Sequence, residues 1–283
     1  MGPIIISVVN QKGGVGKTTS TLNIASSLAL IGKNILLIDL DPQGNASSGL
    51  GLSKAETKKS SIYQALTEEK EISDCLYKTT IPNLYLCPSD TNLVGAEIEL
   101  VGEYARESKL KNILERIGKK GREFDLIFID CPPSLGLLTI NALNASDYYL
   151  VPTQAEFFAM EGLAQLTNTI KIVKKSLNPK LELLGILLTM FDKRANLHRQ
   201  VAKELNSFFA GKVFKTLIPR SIKLSEAPSF GLPILLYDKN SSGSLAYIDL
   251  SLEILKSLDL YERSFSHYKI RKNLKQVEEQ LAH

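Results

Sequence analysis

The chain has 283 residues, 44% of them hydrophobic and 23% charged, with a modest net charge of +4, which suits one large globular core. No apolar run approaches the roughly 18 residues needed to span a bilayer, and no basic segment or cleavage site frames the apolar start, so we expect neither a membrane span nor a signal peptide. The three cysteines are Cys75, Cys87 and Cys131. Their spacing fits neither a disulfide framework nor a metal site, which indicates reduced thiols in a cytoplasmic protein.

Apolar runs alternate with helical patterns along the chain. Strands are predicted at residues 4–9, 34–39, 84–87, 126–130, 148–151, 183–189 and, as a short run, 214–218. Helices are predicted at residues 18–31, 109–117, 162–177, 197–209 and 243–258. This alternation predicts an α/β fold in which a mostly parallel, twisted sheet carries helices on both faces. We expect one domain over residues 1–258.

Residues 259–283 form a charged tail that lacks Gly and Pro. Its apolar residues recur at helical spacing, at Ile270, Leu274, Val277 and Leu281. The stripe predicts a terminal helix docked on the body. Self-association or a partner helix is the second interpretation, and a membrane-surface helix is the third, because Glu278 and Glu279 would repel anionic lipid.

A glycine-rich loop, NQKGGVGKTT at residues 10–19, joins the first strand to the first helix. Glycines allow successive backbone N–H groups to point at phosphate oxygens, and the helix N-terminus adds a favourable dipole. Lys17 is placed to bind the β- and γ-phosphates, and the Thr18 hydroxyl to ligate Mg²⁺. The loop therefore predicts ATP bound by Gly13, Gly14, Val15, Gly16, Lys17, Thr18 and Thr19.

Lys12 is additional to the common phosphate-loop pattern, in which a glycine would stand at the position of Gln11. One lysine suffices for the triphosphate within a subunit. A second lysine so close to the phosphates suggests a charge offered to the nucleotide of another subunit. The alternative is that Lys12 is merely exposed, and the spacing does not decide between the two.

Three acidic residues end or follow buried strands, where ligands bind in an open α/β sheet. Asp39 ends the second strand and could support Mg²⁺ through water. Asp41 lies two residues further on, where a carboxylate could orient the attacking water. Asp130 ends an apolar strand, the usual partner of a phosphate loop that holds the Mg²⁺ water shell.

Basic residues concentrate between positions 192 and 223. Eight Lys or Arg residues and two acids give this segment +6, so the rest of the chain carries −2. A local basic surface on a nearly neutral body is typical of polyanion contact, although a solvated helical face would give the same pattern.

Four long motifs of the chain resemble those of one family, the ParA/Soj chromosome-partitioning ATPases of the deviant Walker A class. They are KGGVGKTT, DLDPQGNASSGLG, FIDCPPSLGLLTINAL and LIPRSIKLSEAPSFGLPILLYD, in the order of the family, and the resemblance runs from about residue 4 to about residue 258. Many larger members carry an N-terminal helix-turn-helix. Here the first strand begins at residue 4, so sequence-specific operator binding is not expected.

The resemblance implies an ATP-bound homodimer in which Lys12 reaches the phosphates of the partner subunit. Asp41 would assist hydrolysis, and Asp130 would support Mg²⁺. The dimer would bind double-stranded DNA without sequence preference, which places the protein at the nucleoid. A centromere-binding partner like ParB/Spo0J would stimulate slow hydrolysis and release the dimer.

The resemblance also carries over DNA and adenine contacts. The basic positions of the family correspond to Arg194 and to Lys223, with Lys193 and Arg220 added as neighbours. Met190 and Pro219 correspond to the adenine contacts.

Two other families share the loop. A membrane-cycling regulator of division-site placement, of the MinD type, needs a basic C-terminal helix with bulky apolar residues, which the tail matches only in part. An iron protein of the nitrogenase type needs two cluster cysteines per subunit, which the three cysteines do not fit.

Overall fold

The apolar runs pair into one seven-stranded sheet in the computed structural model, which describes residues 2–117 and 123–281 without the side chain of Leu281. The strands are β1 (Ile4–Val8), β2 (Ile35–Asp39), β3 (Tyr77–Lys78), β4 (Leu84–Cys87), β5 (Leu126–Asp130), β6 (Tyr148–Gln154) and β7 (Glu182–Thr189).

The order across the sheet is β3-β4-β2-β5-β1-β6-β7, and only the short edge pair β3–β4 is antiparallel. The mostly parallel sheet predicted from the sequence is therefore confirmed. Parallel pairing brings the carboxyl ends of β1, β2 and β5 to one edge, where Asp130 lies level with Val8 on one side and with Asp39 on the other.

The α-helices between the strands are mostly short. They are α1 (Lys17–Ile31), α2 (Asn45–Gly49), α3 (Lys54–Thr57), α4 (Ile62–Leu66), α5 (Leu93–Glu99), α6 (Lys109–Ile117), α7 (Leu137–Ala145), α8 (Ala159–Ser176), α9 (Asn196–Phe208), α10 (Ile222–Glu226), α11 (Ile234–Tyr237), α12 (Ser242–Ser257) and α13 (His267–Leu281). The five long predicted helices are confirmed to within three residues at each end.

Helices cover both faces of the sheet, as predicted. One face packs against α1, α12 and α13, and the other against α4 to α9. Successive residues of β2 alternate between the two layers, with Leu37 in the first and Ile38 in the second. Thirteen of the fifteen residues of α1 are buried, so this helix is a central element rather than a surface helix.

The strand predicted at residues 214–218 is wrong. Single bridges pair Val213 with Ile186 and Pro219 with Phe191, at the two ends of this run. Between them the backbone N–H groups of residues 215 and 216 donate to the Glu253 carboxylate of α12, at 2.7 and 3.0 Å. Because a side chain satisfies these groups, the backbone leaves the ladder and no continuous strand forms.

The tail helix α13 lies against α1. Its residues Ile270, Leu274 and Val277 are buried in the layer that contains α1, and Asn273 donates from Nδ2 to the Leu30 carbonyl at 2.6 Å. These three members of the predicted apolar stripe thus face the body, whereas the fourth, the side chain of Leu281, lies outside the described residues; the boundary at residue 258 stays a prediction. In the described part of the chain, no helix combines the length and the apolar character needed to cross a membrane.

Candidate nucleotide site

The loop between β1 and α1 has the backbone that its glycines allow. Gly14 and Gly16 have φ angles of 73° and 85°, in the left-handed region where an L side chain is strained. Gly16 lies directly before α1, so the first N–H groups of the helix open toward the loop. The loop therefore has the backbone conformation that a phosphate site requires, at the carboxyl edge of the sheet, and the phosphate contacts of its residues stay a prediction.

The two lysines of this loop face different environments. Lys17 is buried, and its Nζ donates to the Lys12 carbonyl at 3.3 Å, across the loop. Burial lowers the pKa of Lys17, and the nearby Asp130 opposes this effect. The Lys12 side chain remains 54% exposed and pairs with the carboxylate of Glu156, in the loop that follows β6. One ammonium group thus points into the subunit and the other lies on its surface.

Asp39 and Asp130 are neighbours on adjacent strands, and both are fully buried. Burial raises the pKa of both carboxyl groups, and the charge of Asp39 raises the pKa of Asp130 further. The Asp39 carboxylate forms hydrogen bonds within the subunit, because its Oδ2 accepts from the Ser47 amide and hydroxyl, each at 2.7 Å. It organises the loop after β2, and its contribution to Mg²⁺ stays a prediction.

Only one of the two carboxylate oxygens of Asp130 accepts a hydrogen bond from the described residues. Its Oδ1 accepts from the Thr21 hydroxyl at 3.1 Å, whereas its buried Oδ2 has no hydrogen-bond partner within the described residues. A buried, unpaired carboxylate oxygen is costly unless a cation or a water shell completes it.

The donor set fits Mg²⁺ held together with phosphate. Mg²⁺ binds through one or two carboxylates, waters and substrate phosphates rather than in an all-protein cage. No group of three or more His, Cys, Asp or Glu side chains able to hold a metal ion occurs in residues 2–117 and 123–281. Asp130 and the Thr18 hydroxyl are the side chains placed for such an ion; burial raises the pKa of Asp130, and the hydroxyl offsets part of this rise.

Asp41 begins the loop that Asp39 organises. It is nearly buried, its Oδ1 accepts from the Gln43 amide at 3.0 Å, and its charge acts on Lys17 and on Asp130. The side chain is thus fixed at the phosphate loop, where the sequence predicts a role in hydrolysis.

A cavity of about 350 Å³ opens beside the phosphate loop, within the usual size range of small-ligand sites. Met190 and Pro219 both lie in its wall, so the structure brings the two predicted adenine contacts together. Thr189 and Tyr247, which the sequence analysis missed, line it as well. Thr189 donates to the Val15 carbonyl at 2.7 Å and ties β7 to the loop.

The four predicted DNA contacts lie on two neighbouring segments. Lys193 and Arg194 follow β7, and Arg220 and Lys223 follow the bridge that pairs Phe191 with Pro219. All four side chains are exposed. Arg194 donates to both oxygens of Asp192, at 3.1 and 3.0 Å, and Lys223 pairs with Glu226 at 3.4 Å. Arg220 also lines the rim of the cavity.

Several residues that hold the site together escaped the sequence analysis. Thr21 lies one helical turn beyond Lys17, a spacing that could have revealed it. Glu156 and Gln154 carry no such signal, because they meet the loop only through the pairing of β6 with β1; Gln154 donates to the Gly14 carbonyl at 3.1 Å.

Comparison of the sequence with known proteins shows the family of this chain. A family model described as an AAA domain matches residues 4–183. The sporulation initiation inhibitor protein Soj of Bacillus subtilis is 52% identical over 250 residues, which cover 88% of this chain and 97% of that protein. The chromosome-partitioning ATPase Soj of Treponema pallidum is 48% identical and covers 90% and 98%. The chain belongs to the ParA/Soj chromosome-partitioning ATPases. The family and the ATPase activity predicted from the motifs are confirmed.

Two solved structures are similar to this ATPase. Cobyrinic acid a,c-diamide synthase of Mycobacterium smegmatis, with a bound ATP analogue and magnesium, has a TM-score of 0.78 at 34% identity, covering 91% of this chain and 96% of that one. The septum site-determining protein MinD of Pyrococcus horikoshii, with Mg-ADP, has a TM-score of 0.72 at 26% identity, covering 92% and 99%. Proteins of different function thus share this fold.

Proposed function

We propose that this chain is an ATP-dependent, dimerising switch. In its ATP-bound form it binds double-stranded DNA without sequence preference at the nucleoid, and with a ParB-like partner it drives segregation of a chromosome or plasmid. The proposal is supported by the membership in the ParA/Soj family and by the two lysines of the phosphate loop, which point in different directions. The inner lysine is placed for the nucleotide of its own subunit, and the outer one for that of a second copy.

The site residues have distinct roles in the proposed hydrolysis. Lys17 and the backbone N–H groups of residues 13–19 hold the triphosphate. Asp130 and the Thr18 hydroxyl hold Mg²⁺, whose charge, when bound, offsets the negative charge that develops as the terminal phosphate leaves. Asp41 orients the attacking water. Met190 and Pro219 pack against the adenine ring in the cavity beside the loop.

Dimer formation is tested by light scattering with ATP, with ADP and without nucleotide. The wild type is expected to double its mass with ATP alone, and Lys12→Ala is expected to remain monomeric while it still binds nucleotide. A Lys12→Ala variant that dimerises like the wild type would rule out the role proposed for this side chain.

DNA binding is tested by reversing the charge of the basic surface. Arg194→Glu with Lys223→Glu should abolish the ATP-dependent retention of the protein on DNA, because the affinity comes from neutralising DNA phosphates. A matched control, Lys171→Glu with Lys175→Glu on α8, changes the net charge equally at exposed positions elsewhere. In variants that still bind, the slope of log affinity against log salt should decrease by about 0.9 for each DNA phosphate that the variant leaves without a basic partner. Equal retention by both double variants would contradict the assignment.

A MinD-like membrane cycle is the second candidate, since the solved MinD structure is similar. In this chain, however, Ile270, Leu274 and Val277 of the tail are buried against α1, so binding to a bilayer through these residues would require α13 to detach. Sedimentation of the full chain with anionic liposomes and ATP separates the two functions. Pelleting of most of the protein would favour the membrane cycle, and its absence the DNA cycle.

A further inference from the structure

An exposed apolar stripe runs along α5 and the turn that follows it. The stripe consists of Val94, Ile98, Val101 and Tyr104, whose side chains are 58–96% exposed. The first three follow one another at spacings of four and three residues. Together the four form the α5 patch. The opposite side of the same segment is buried in the core through Leu93, Ala96 and Leu100. The segment is therefore anchored in the core by its buried side. The α5 patch lies on the opposite side, where no described residue covers it.

The α5 patch lies in an acidic surface. Residues 92–105 contain three glutamates and no Lys or Arg, in a chain whose net charge is positive. The cations next to them are already paired, Arg106 with Glu107 and Lys109 with Glu68 and Glu103. Glu99 accepts from the Tyr63 hydroxyl at 3.1 Å and Glu97 from the Leu138 amide at 3.4 Å, and within the described residues neither forms an ion pair. Two copies of this surface would repel each other when placed face to face. Charge complementarity instead favours a basic segment with an apolar side.

The inner edge of α5 touches the loop that follows Asp130. Glu97 Oε1 lies so close to Gly136 that a Cβ atom at that glycine would come within 2.4 Å of it. Gly136 caps α7 and Leu138 lies in its first turn, and the loop at residues 131–136 joins this helix to the strand that carries Asp130. A molecule bound to the α5 patch would therefore act on a helix whose side chain supports the loop next to the Mg²⁺-binding carboxylate.

We propose that the α5 patch binds a short, basic, amphipathic segment of the ParB-like partner, and that this contact reaches the hydrolytic site through Glu97 and the loop at Gly136. The inference rests on the proposed function, because it names the surface that the partner uses. Apolar side chains of the segment cover Val94, Ile98 and Val101, and its Lys or Arg residues meet the glutamates.

The test uses the full chain and the purified ParB-like protein of the same genome, bound to its DNA site. Two variants address the two parts of the surface: Ile98→Ser with Val101→Ser removes apolar surface, and Glu99→Lys reverses a charge. Ile172→Ser is the matched control, since this residue is also a large exposed apolar side chain, on α8. The readouts are the affinity for the partner and the ratio of the stimulated to the unstimulated ATPase rate.

Both patch variants are expected to lose about tenfold or more in affinity, as interface residues at the centre of a contact do, and to lose the stimulation, whereas the control behaves like the wild type. Retained ATP-dependent dimerisation and DNA binding would show that the variants are folded. Wild-type affinity and stimulation in both patch variants would overturn the inference. Loss of dimerisation with unchanged partner affinity would also overturn it, since the α5 patch would then belong to the interface between copies. A wild-type chain that neither binds DNA nor responds to the partner would instead refute the proposed function.

Discussion

The ion pair between Lys12 and Glu156 provides a quantitative test of the proposed dimer. The pair forms within one subunit, so a dimer in which each Lys12 binds the phosphates of the other subunit must break it twice. An exposed ion pair contributes about 0.2–1 kcal/mol. The neutral variant Glu156→Gln is therefore expected to stabilise the ATP-bound dimer by about 0.4–2 kcal/mol, which lowers its dissociation constant about 2- to 30-fold.

Sedimentation velocity over a range of protein concentrations, with a non-hydrolysable ATP analogue, measures this dissociation constant. Glu161→Gln is the matched control, because Glu161 is an exposed glutamate near the start of α8 and no ion pair involves it among the described residues. The reasoning fails if Glu156→Gln dimerises as the wild type does. A weaker dimer would show that Glu156 contributes to the dimer interface itself.

Three further changes test the site and the packing. Asp130→Asn should stabilise the nucleotide-free protein by about 1–3 kcal/mol, since it removes a buried carboxylate whose pKa is raised, and it should abolish hydrolysis; a lower melting temperature without nucleotide would contradict this. Gly185→Ala should destabilise the fold by about 1–3 kcal/mol, because its Cβ would come within 2.5 Å of the Phe214 ring, and urea unfolding would measure the loss. Leu274→Ala should cost about 2–5 kcal/mol as the cavity opens between α13 and α1, whereas a cost near zero would show that α13 is loosely attached.

The parts of the fold that the sequence predicted are those written in local patterns. Continuous apolar runs ending in Asp39 and Asp130 identified β2 and β5, and parallel pairing then brought both acids to the edge where the glycine loop lies. The loop itself needed only the spacing of its glycines and Lys17. The long helices were found because they show several turns of periodicity.

The parts that were missed depend on distant residues or on short elements. The run at 214–218 looks like a strand, and only Glu253, in a later helix, removes it from the sheet. α5 has seven residues, too few for periodicity to distinguish a helix from a loop. Glu156 meets Lys12 because β6 pairs with β1, which no spacing along the chain reveals.

The bridge between Phe191 and Pro219 connects the wall of the nucleotide cavity to the proposed DNA-binding surface. Met190 and Pro219, both at this bridge, line the cavity, and each is followed within four residues by a cation of the basic surface, Arg194 or Lys223. The backbone segments that carry these cations are therefore held together by the same hydrogen bond, from the Phe191 amide to the Ile218 carbonyl at 2.9 Å, that shapes the cavity wall. A small molecule that pushes this wall apart would also separate the two cations, and it is therefore expected to weaken the proposed contact with DNA together with nucleotide binding.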